Sequence, residues 1–314
     1  MRLDRLAGDS LINQQKIKIM KKLLTLSTAL LFTAGAAFAQ SNDASVSQDG
    51  DSNEATVEQI GYDNSAELNQ GFNGQGQSNA FATIEQDGTS NVAVLNQRAW
   101  ASRGNDHAIE QLGDGNSGVL DIYNGNNSGL LIQDGTENSA RMVQSGNDHE
   151  SVILQTGDEN YAQSRATGGS GNVTAIVQGI PSGFLDLPEL DGPQLLGFIP
   201  LPSSEGNAAT LKTRGSNNLA GILQIGNYNS AGSNPQWSGD LGIDIDGDGN
   251  MAGIAQLGDY NIANIAVSGD ANMALVIQEG SEHSASIMQD GSGNSAEIYQ
   301  SGSGSMIPGD GIAL

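Results

Sequence analysis

The sequence predicts an all-β fold, a flattened β-solenoid of about ten 22-residue rungs with cross-β stacking between the rungs. Three observations lead to this fold. An eleven-residue repeat runs through most of the chain, apolar and polar residues alternate within each repeat, and glycine recurs near the end of each repeat. Two repeats make one rung, because each repeat supplies a strand and a turn on one side of the coil.

The repeat unit reads Asn-x-Ala-x-x-x-Gln-x-Gly-x-x, and its Asn serves as a marker. The chain holds twenty units, which at a strand spacing of about 4.8 Å predict a coil roughly 50 Å long. The markers are Asn42, Asn53, Asn64, a residue near Asn79, Asn91, Asn105, Asn116, Asn127, Asn138, His149, Asn160, Asn172, Asn207, Asn218, Asn229, Asn250, Asn261, Asn272, His283 and Asn294.

The alternation within a unit has period two, as in a strand with one buried face. The second position after the marker is mostly Ala. The fourth is a large aliphatic residue in eighteen of the twenty units, with Ser164 and Ser233 as the exceptions. The intervening positions carry polar residues such as Glu54, Asp121 and Glu297. One face of each strand is therefore predicted to be dry and the other wet.

An eleven-residue repeat is also compatible with a helix that has an apolar stripe. Glycine recurs two residues after nearly every Gln, and each glycine would cost a helix about 1 kcal/mol. In a tight turn the same glycines supply the positive φ angles that the backbone needs. Turns are therefore predicted at Gly50, Gly61, Gly88, Gly135, Gly146, Gly157, Gly226, Gly258, Gly280 and Gly291.

The Asn and Gln residues of the unit are predicted to form ladders along the coil. An inward amide lies beneath the same residue of the next rung, where it can both donate and accept a hydrogen bond. A stacked carboxylate would bury like charge, and a hydrophobic residue would leave turn backbone groups unpaired. The expected assembly ladder consists of Gln48, Asn53, Gln59, Asn64, Gln70, Gln133, Asn138, Gln144, Gln155, Gln224, Gln256, Asn261, Asn272, Gln278, Gln289, Asn294 and Gln300.

The composition excludes several classes of protein. Twelve Lys and Arg residues stand against 36 Asp and Glu residues, which gives a formal net charge of −24. Binding to nucleic acid or to an anionic membrane surface rests on basic side chains and is therefore disfavoured. The chain has no Cys, so it is not a disulfide scaffold, and with 4% aromatic residues a conventional globular core would lack large side chains.

The first forty residues differ in composition from the rest and indicate targeting. Residues 20–22 begin a basic segment, residues 23–38 form an apolar run that is short for a membrane anchor, and residues 37–39 have the small-x-small form of a signal peptidase site. We predict a signal peptide over residues 1–39. Residues 1–19 are then either a basic extension or the product of an upstream start codon.

The repeats are interrupted twice. The first interruption is rich in Pro, which cannot donate to a central sheet ladder, so this segment either loops out of the coil or separates two coils. The predicted divisions are 40–178 for the first part of the coil, 179–206 for the Pro-rich insertion, 207–302 for the continued coil, 232–249 for a second insertion within it, and 303–314 for a C-terminal tail.

Candidate chemistry is scarce. Asp244, Asp246 and Asp248 have the spacing that begins a calcium loop, but the twelfth position is Ala255 where such a loop has Glu. These aspartates are therefore either a calcium site or a solvated acidic turn, and no other cofactor is indicated. The chain also lacks a nucleophile motif of the Gly-x-Ser-x-Gly kind, so we expect it not to be an enzyme.

The three histidines lie within the repeat. His149 and His283 replace the marker Asn, and His107 stands at a small inward position. Each is far from the others in sequence, which favours tolerated substitutions over metal binding.

The motif Gln-x-Gly-x-x-Asn-x-Ala-x-x-x-Gln is intact at residues 48–59, 59–70, 133–144 and 289–300. It resembles the curlin repeat of curli-type bacterial surface amyloid subunits. The resemblance implies a structural subunit that passes through the periplasm and an outer-membrane pore and polymerises at the cell surface with a nucleator subunit. It further implies a role in cell adhesion and biofilm matrix. A nucleator, or a repeat adhesin that does not polymerise, is the alternative.

Overall fold

The computed structural model describes residues 41–71, 77–98, 104–179, 204–232, 242–303 and 311–313. The predicted signal peptide lies outside these residues. In the described ranges the regular structure is entirely β, in agreement with the predicted fold class. No helix within these ranges is long and apolar enough to span a membrane.

The strands follow the repeat, and most hold six to ten residues. They are β1 (Asp43–Gln48), β2 (Gly50–Asp51), β3 (Glu54–Tyr62), β4 (Ser65–Gln70), β5 (Gln77–Ser78), β6 (Phe81–Thr89), β7 (Val92–Arg98), β8 (Asp106–Asp114), β9 (Ser117–Tyr123), β10 (Ser128–Thr136), β11 (Ser139–Asn147), β12 (Glu150–Asp158), β13 (Tyr161–Ser170), β14 (Val173–Gln178), β15 (Ser204–Glu205), β16 (Ala208–Arg214), β17 (Leu219–Ile225), β18 (Ser230–Ala231), β19 (Ile243–Asp246), β20 (Met251–Leu257), β21 (Ile262–Ser268), β22 (Met273–Ser281), β23 (Ser284–Asp290), β24 (Ser295–Ser303) and β25 (Gly311–Ala313).

Successive units alternate between two parallel sheets, which makes the chain a flattened solenoid. Sheet 1 has twelve strands in the order β1-β4-β7-β9-β11-β13-β16-β18-β21-β23-β25, with β19 between β16 and β21. Sheet 2 has eleven strands in the order β24-β22-β20-β17-β14-β12-β10-β8-β6-β3, with β15 beside β12. A separate pair, β2 and β5, extends one corner.

The core lies between the two sheets and follows the predicted alternation. In sheet 1 the large aliphatics stack in register, so that Leu68 lies beside Leu95 and Leu95 beside Leu120, and all three are fully buried. Sheet 2 supplies a matching column that includes Ile84 and Ile109. Because each rung contributes only a thin apolar layer, stability must come from stacking rungs.

The turns require positive φ at two places. The predicted turn glycines all have positive φ, and Gly135 (φ 130°) illustrates why no side chain is tolerated there. A Cβ on Gly135 would lie 2.1 Å from the carbonyl oxygen of Gly157 in the next rung. The residue before each marker is also left-handed, as in Glu137 (φ 54°) and Ala271 (φ 55°). Sequence reasoning missed this second position, where non-glycine residues are common.

The structure fixes the marker that the sequence placed only near Asn79. The marker near Asn79 is Ala80, because Glu54 pairs with Phe81 and the Asn53 side chain accepts the backbone N–H of Ala80. Asn79 has φ 55° and takes the left-handed turn position instead. The prediction placed this marker only near Asn79, and Asn79 itself takes the turn position because Asn tolerates this conformation better than most residues.

The second insertion lies inside a unit. Ser233 was predicted to hold the inward aliphatic position of the unit marked by Asn229. Register instead assigns that position to Ile243, which pairs with Leu211 on one side and Ile265 on the other. The chain thus leaves the sheet after β18 and re-enters it as β19, because Ile243 fills the core position that a serine would leave empty.

Parts of the predicted Pro-rich insertion (179–206) and of the predicted C-terminal tail (303–314) belong to the solenoid. Ser204 and Glu205 pair with β12, and β16 follows in sheet 1 after β14 in sheet 2, as the alternation requires. Residues 180–203 lie outside the described residues. In the predicted tail, Gly311–Ala313 pair with β23 as one further strand.

Asp121 corrects the predicted wet face of sheet 1. It is only 7% exposed. Arg141 Nη2 donates to Asp121 Oδ2 at 3.0 Å, and Asn96 Nδ2 donates to Asp121 Oδ1 at 3.0 Å. The carboxylate is therefore covered by the residues that bind it.

Candidate assembly site

Glutamines of sheet 2 stack into one unbroken column. Each side-chain Nε2 donates to the Oε1 of the glutamine in the next rung at 2.8–3.0 Å, and all the bonds point toward the C-terminal end. The column consists of Gln59, Gln86, Gln111, Gln133, Gln155, Gln178, Gln224, Gln256, Gln278 and Gln300. Because the bonds share one direction, the column has a donor end and an acceptor end.

The same amides tie the two sheets together. Gln133 Nε2 also donates to the carbonyl oxygen of Ser117 at 3.1 Å, and Gln155 Nε2 to that of Ser139 at 3.2 Å. Ser117 and Ser139 begin strands of sheet 1, on the far side of the core. Each glutamine therefore joins successive rungs through one amide hydrogen and the two sheets through the other.

The corresponding column of sheet 1 is interrupted. Gln48 donates to Gln70 at 2.7 Å and Gln70 to Gln97 at 3.1 Å, but no such bond continues through the rest of the column. In register after Gln97 come Ile122, Gln144, Ala166, Thr213, Ile245, Val267 and Gln289. Among the described residues Gln289 Oε1 is buried with no hydrogen-bond partner. The predicted ladder residues Gln144 and Gln289 are thus not stacked on other glutamines.

His107 bridges the first gap from the opposite sheet. Gln97 Nε2 lies 3.0 Å from His107 Nδ1, and His107 Nε2 lies 2.7 Å from Gln144 Oε1. A neutral imidazole with its proton on Nε2 fits both bonds, since it accepts from Gln97 and donates to Gln144. Gly129 leaves room for the ring, because a Cβ there would lie 2.6 Å from His107 Cδ2.

Burial controls the protonation of this histidine. Desolvation lowers the pKa of His107 from 6.5 to about 4, against an opposing contribution from the hydrogen bond with Gln144. The ring is 1% exposed. It therefore stays neutral at pH 7, in the form that the two glutamines require.

Hydroxyl groups continue the buried polar chain beyond Gln144. Gln144 Nε2 donates to Ser151 Oγ at 3.0 Å, and Thr174 Oγ1 donates to Ser151 Oγ at 2.8 Å. Ser164 Oγ lies 2.8 Å from Thr174 Oγ1. Ser164 stands where most units have a large aliphatic residue, and in the structure its hydroxyl is hydrogen-bonded to Thr174 of the opposite sheet.

Asn residues bind the corners of adjacent rungs. Asn116 Oδ1 accepts the backbone N–H of Asn138 at 3.1 Å, and Asn116 Nδ2 donates to the carbonyl oxygen of Gly135 at 2.9 Å. In the same pattern, Asn250 Oδ1 accepts the backbone N–H of Asn272 and Asn250 Nδ2 donates to the carbonyl oxygen of Gly269. The predicted corner residues Asn53, Asn64, Asn138, Asn261, Asn272 and Asn294 all take part in this kind of contact.

Both ends of the described solenoid present open strands. At one end β1 pairs only with β4, and β3 only with β6, among the described residues. All of β1 is exposed, and Val46 is 36% exposed although it occupies a core position. At the other end β24 pairs only with β22 within the described ranges, and Ile298 is partly buried. Such edges are templates for a further strand.

The three aspartates of the calcium interpretation lie at β19 and the turn after it. The Arg214 guanidinium lies 3.4 Å from Asp244 and 3.8 Å from Asp246, and Asp248 Oδ1 accepts the backbone N–H of Ser216 at 2.6 Å. In the part of the chain that the structure describes, no three His, Cys, Asp or Glu side chains group as metal ligands. Calcium binding here stays a prediction.

Sequence reasoning missed several members of the columns. Gln86, Gln111 and Gln178 complete the column of sheet 2, and Gln97 extends that of sheet 1. Their signal was present, because each stands at the sixth position after its marker once Ala80 is taken as a marker. The bridging role of His107 had no such signal, since it depends on the opposite sheet.

The repeats also match a known family. Residues 39–71, 126–157, 135–163 and 281–307 match the model of the curlin associated repeat. The chain therefore contains segments that match the curlin repeat. Repeat units outside the matched segments keep the same register, as in the pairing of Gln224 with Gln256. The curlin family is structural and extracellular, and its repeats indicate a curli-type structural subunit. No curated protein matches the chain.

Proposed function

We propose that this protein is a secreted structural subunit of curli-like extracellular amyloid fibres. Subunits add end to end by stacking rung on rung, and the fibres support cell adhesion and the biofilm matrix. The observation that carries the proposal is the pair of open ends, where parallel strands with inward aliphatic side chains stand without a further strand among the described residues.

The glutamine column of sheet 2 supports a head-to-tail arrangement. Its bonds run from Gln59 toward Gln300, so Gln59 Oε1 faces one end and Gln300 stands at the other. A second copy stacked in the same direction brings its Gln59 beside Gln300 and continues the direction of donation. A head-to-head contact would oppose like ends of the column.

Export through the periplasm and an outer-membrane pore, and initiation by a nucleator subunit, belong to the same proposal. The match to the curlin repeat supports them, because curli-type subunits are the class that this repeat resembles. The absence of Cys agrees with passage through a pore in extended form.

Growth of the purified protein tests the proposal. We expect dye-binding fibres that give cross-β reflections near 4.8 and 10 Å, with a lag that preformed fibres remove. A stable monomer in sedimentation at micromolar concentration would contradict it.

The strand β25 favours the alternative of a repeat adhesin that does not polymerise. In sheet 1, Gly311–Ala313 occupy the edge of β23 that β1 of a next copy would use. A chain ending at Ser303 frees this edge, so we expect it to elongate severalfold faster than the full chain. If fibres form only after this truncation, the full chain is a capped adhesin.

A further inference from the structure

Part of the outward face of sheet 2, spanning four neighbouring strands, has no charged residues. In β14, β17, β20 and β22 the first three outward positions carry only apolar residues, and we call this surface the apolar face. It comprises Val173, Ala175, Val177, Leu219, Gly221, Leu223, Met251, Gly253, Ala255, Met273, Leu275 and Ile277. Leu219 and Met251 are each 46% exposed, and Met273 is 49% exposed. These side chains form a contiguous column, because Leu219 pairs with Met251 and Met251 with Met273.

Elsewhere on the outer surface exposed apolar side chains, such as Ile262 and Met288 of sheet 1, alternate with charged or polar residues. At the same level of the coil, sheet 1 presents Lys212, Arg214 and Asp244. Earlier strands of sheet 2 present Glu85 and Glu110 in register. On a chain with a net charge of −24, the apolar face is thus a place where two copies can meet without opposing carboxylates.

Gly221, at the centre of the face, gives an independent indication of a partner, whereas a Cβ on the neighbouring Gly253 would lie 3.1 Å from Leu275 Cδ1. Gly221 and Gly253 lie side by side within strands, and neither has positive φ. A Cβ on Gly221 would meet only the Ala175 carbonyl oxygen, at 4.0 Å. No turn or close contact therefore requires glycine at Gly221, whereas strand glycines often mark the close approach of another backbone.

We propose that the apolar face is the lateral contact between two copies of this chain in neighbouring filaments, and this proposal rests on the proposed fibre function. With strands about 4.8 Å apart and residues about 3.3 Å apart, the face measures roughly 19 by 17 Å, on the order of 300 Å². That area is too small to hold two free subunits together. In two neighbouring filaments every subunit contributes one such contact, so many weak contacts together hold the filaments side by side.

The geometry limits the assembly to pairs. The same face meets itself across a two-fold axis, which leaves no second copy of the surface available. The opposite side of each filament carries the charged outer surface of sheet 1. We therefore expect two filaments per fibre and not an open-ended bundle.

Mass per length measured by scanning transmission electron microscopy tests the pairing. Fibres of the unmodified chain should have twice the mass per length of fibres of the double variant Leu219→Glu and Met273→Glu. Both positions are about half exposed, so the fold should tolerate the change. The matched control is Ile262→Glu with Met288→Glu on sheet 1, where the residues are 39% and 60% exposed, and it should leave the fibres paired.

A second variant separates pairing from folding. Gly221→Thr favours the strand conformation and should not lower the stability of the subunit, but it fills the centre of the face and should give single filaments. Paired fibres in this variant and in the double variant would overturn the proposal, as would equal loss of pairing in the control.

Single filaments in the unmodified chain overturn the proposal too. If such filaments pair once residues 180–203 are replaced by a short linker, that segment of the same chain occupies the face. A protein that gives no cross-β diffraction contradicts the fibre function itself, whereas single filaments with that diffraction contradict only the pairing.

Discussion

The two sheets carry the same repeat but differ in the glutamine column. In sheet 2 the column is continuous from Gln59 to Gln300. In sheet 1 glutamines stack only near one end, and the positions from Ala166 to Val267 in register are Ala, Thr, Ile and Val. One unbroken column is thus enough for this fold, and the second can be replaced by apolar packing.

The replacement is not uniform along sheet 1. Where a glutamine still stands between gaps, as at Gln144, its amide is satisfied by His107 and Ser151 from the opposite sheet. Where the neighbours are apolar, as at Gln289, the side-chain oxygen has no partner among the described residues. A buried amide in this core therefore depends on its column neighbours or on a substitute across the core.

The largest expected difference in the free energy of unfolding is between variants of Gln278 and Gln289. These residues occupy the same position in consecutive units, one in each sheet. Gln278→Leu removes bonds to Gln256, Gln300 and the Ile262 carbonyl, so we expect a loss of about 2–4 kcal/mol in the free energy of unfolding. Gln289→Leu removes one bond, to the Met273 carbonyl, and also an unpaired oxygen. We expect it to cost about 1 kcal/mol or less.

Denaturant unfolding of the two variants, together with seeded fibre growth, measures this difference. Ile245→Leu in the apolar part of the sheet 1 column is the volume-conserving control, and we expect it to cost less than about 1.5 kcal/mol. Equal losses for Gln278→Leu and Gln289→Leu would show that the continuous column has no special role.

The bridge at His107 predicts a dependence on pH. Its folded-state pKa is lowered to about 4, so the unfolded chain binds the proton first as the pH falls below 6.5. The contribution of the neutral ring is fully present above 6.5 and decreases toward pH 4. Between pH 7 and pH 5 we expect the free energy of unfolding to fall by about 2 kcal/mol from this group.

The variant His107→Gln isolates that contribution, since glutamine can both donate and accept but does not titrate. The difference between the unfolding free energies of the unmodified chain and the variant should shrink or reverse between pH 7 and pH 5. A constant difference over this range would mean that the ring is not neutral in the core or is not buried in solution.

The sequence was sufficient for the fold because the repeat encodes it twice, once in the alternation and once in the turn glycines. It failed where a residue can serve two positions. Asn79 has the residue type of a marker but takes the left-handed turn position, and Ala80 takes the corner. The second insertion was predicted at 232–249, but Ile243–Asp246 are paired in sheet 1; the bounds were wrong because only one alternating pair precedes the interruption in its strand.

The site was predictable only along each column. A period of eleven residues places Gln133 beside Gln155, so stacking within a sheet follows from the sequence. The period of the repeat does not say which residues of the two sheets meet across the core. The contacts of His107 with Gln97 and Gln144, and of Ser164 with Thr174, depend on that offset and needed the structure.

A smaller effect tests the turns, which the two sheets share. Ala271 has φ 55° before the marker Asn272, a conformation that costs an L-residue roughly 1 kcal/mol. Ala271→Gly should therefore raise the free energy of unfolding by up to about 1 kcal/mol. The control Ala255→Gly, in a strand, should lower it by about 0.5–1 kcal/mol, and the two changes can be compared by thermal unfolding.

The smallest expected effect compares the outer surfaces of the two sheets at the same column position. In sheet 2, Glu85 and Glu110 stack in register, and desolvation, Glu85 and Asp134 together raise the pKa of Glu110. A raised carboxylate pKa means that the folded chain binds the proton more readily, so the charged group opposes folding above that pKa and ceases to do so as the pH falls. Glu110→Gln should then stabilise the protein by a few tenths of a kcal/mol at pH 7, and the gain should vanish at acidic pH.

In sheet 1 the equivalent Asp121 accepts from Arg141 and Asn96, so Asp121→Asn should destabilise the protein at pH 7. Denaturant unfolding of both variants at pH 7 checks the opposite signs, and a loss of stability in Glu110→Gln would mean that the stacked glutamates are held by favourable contacts.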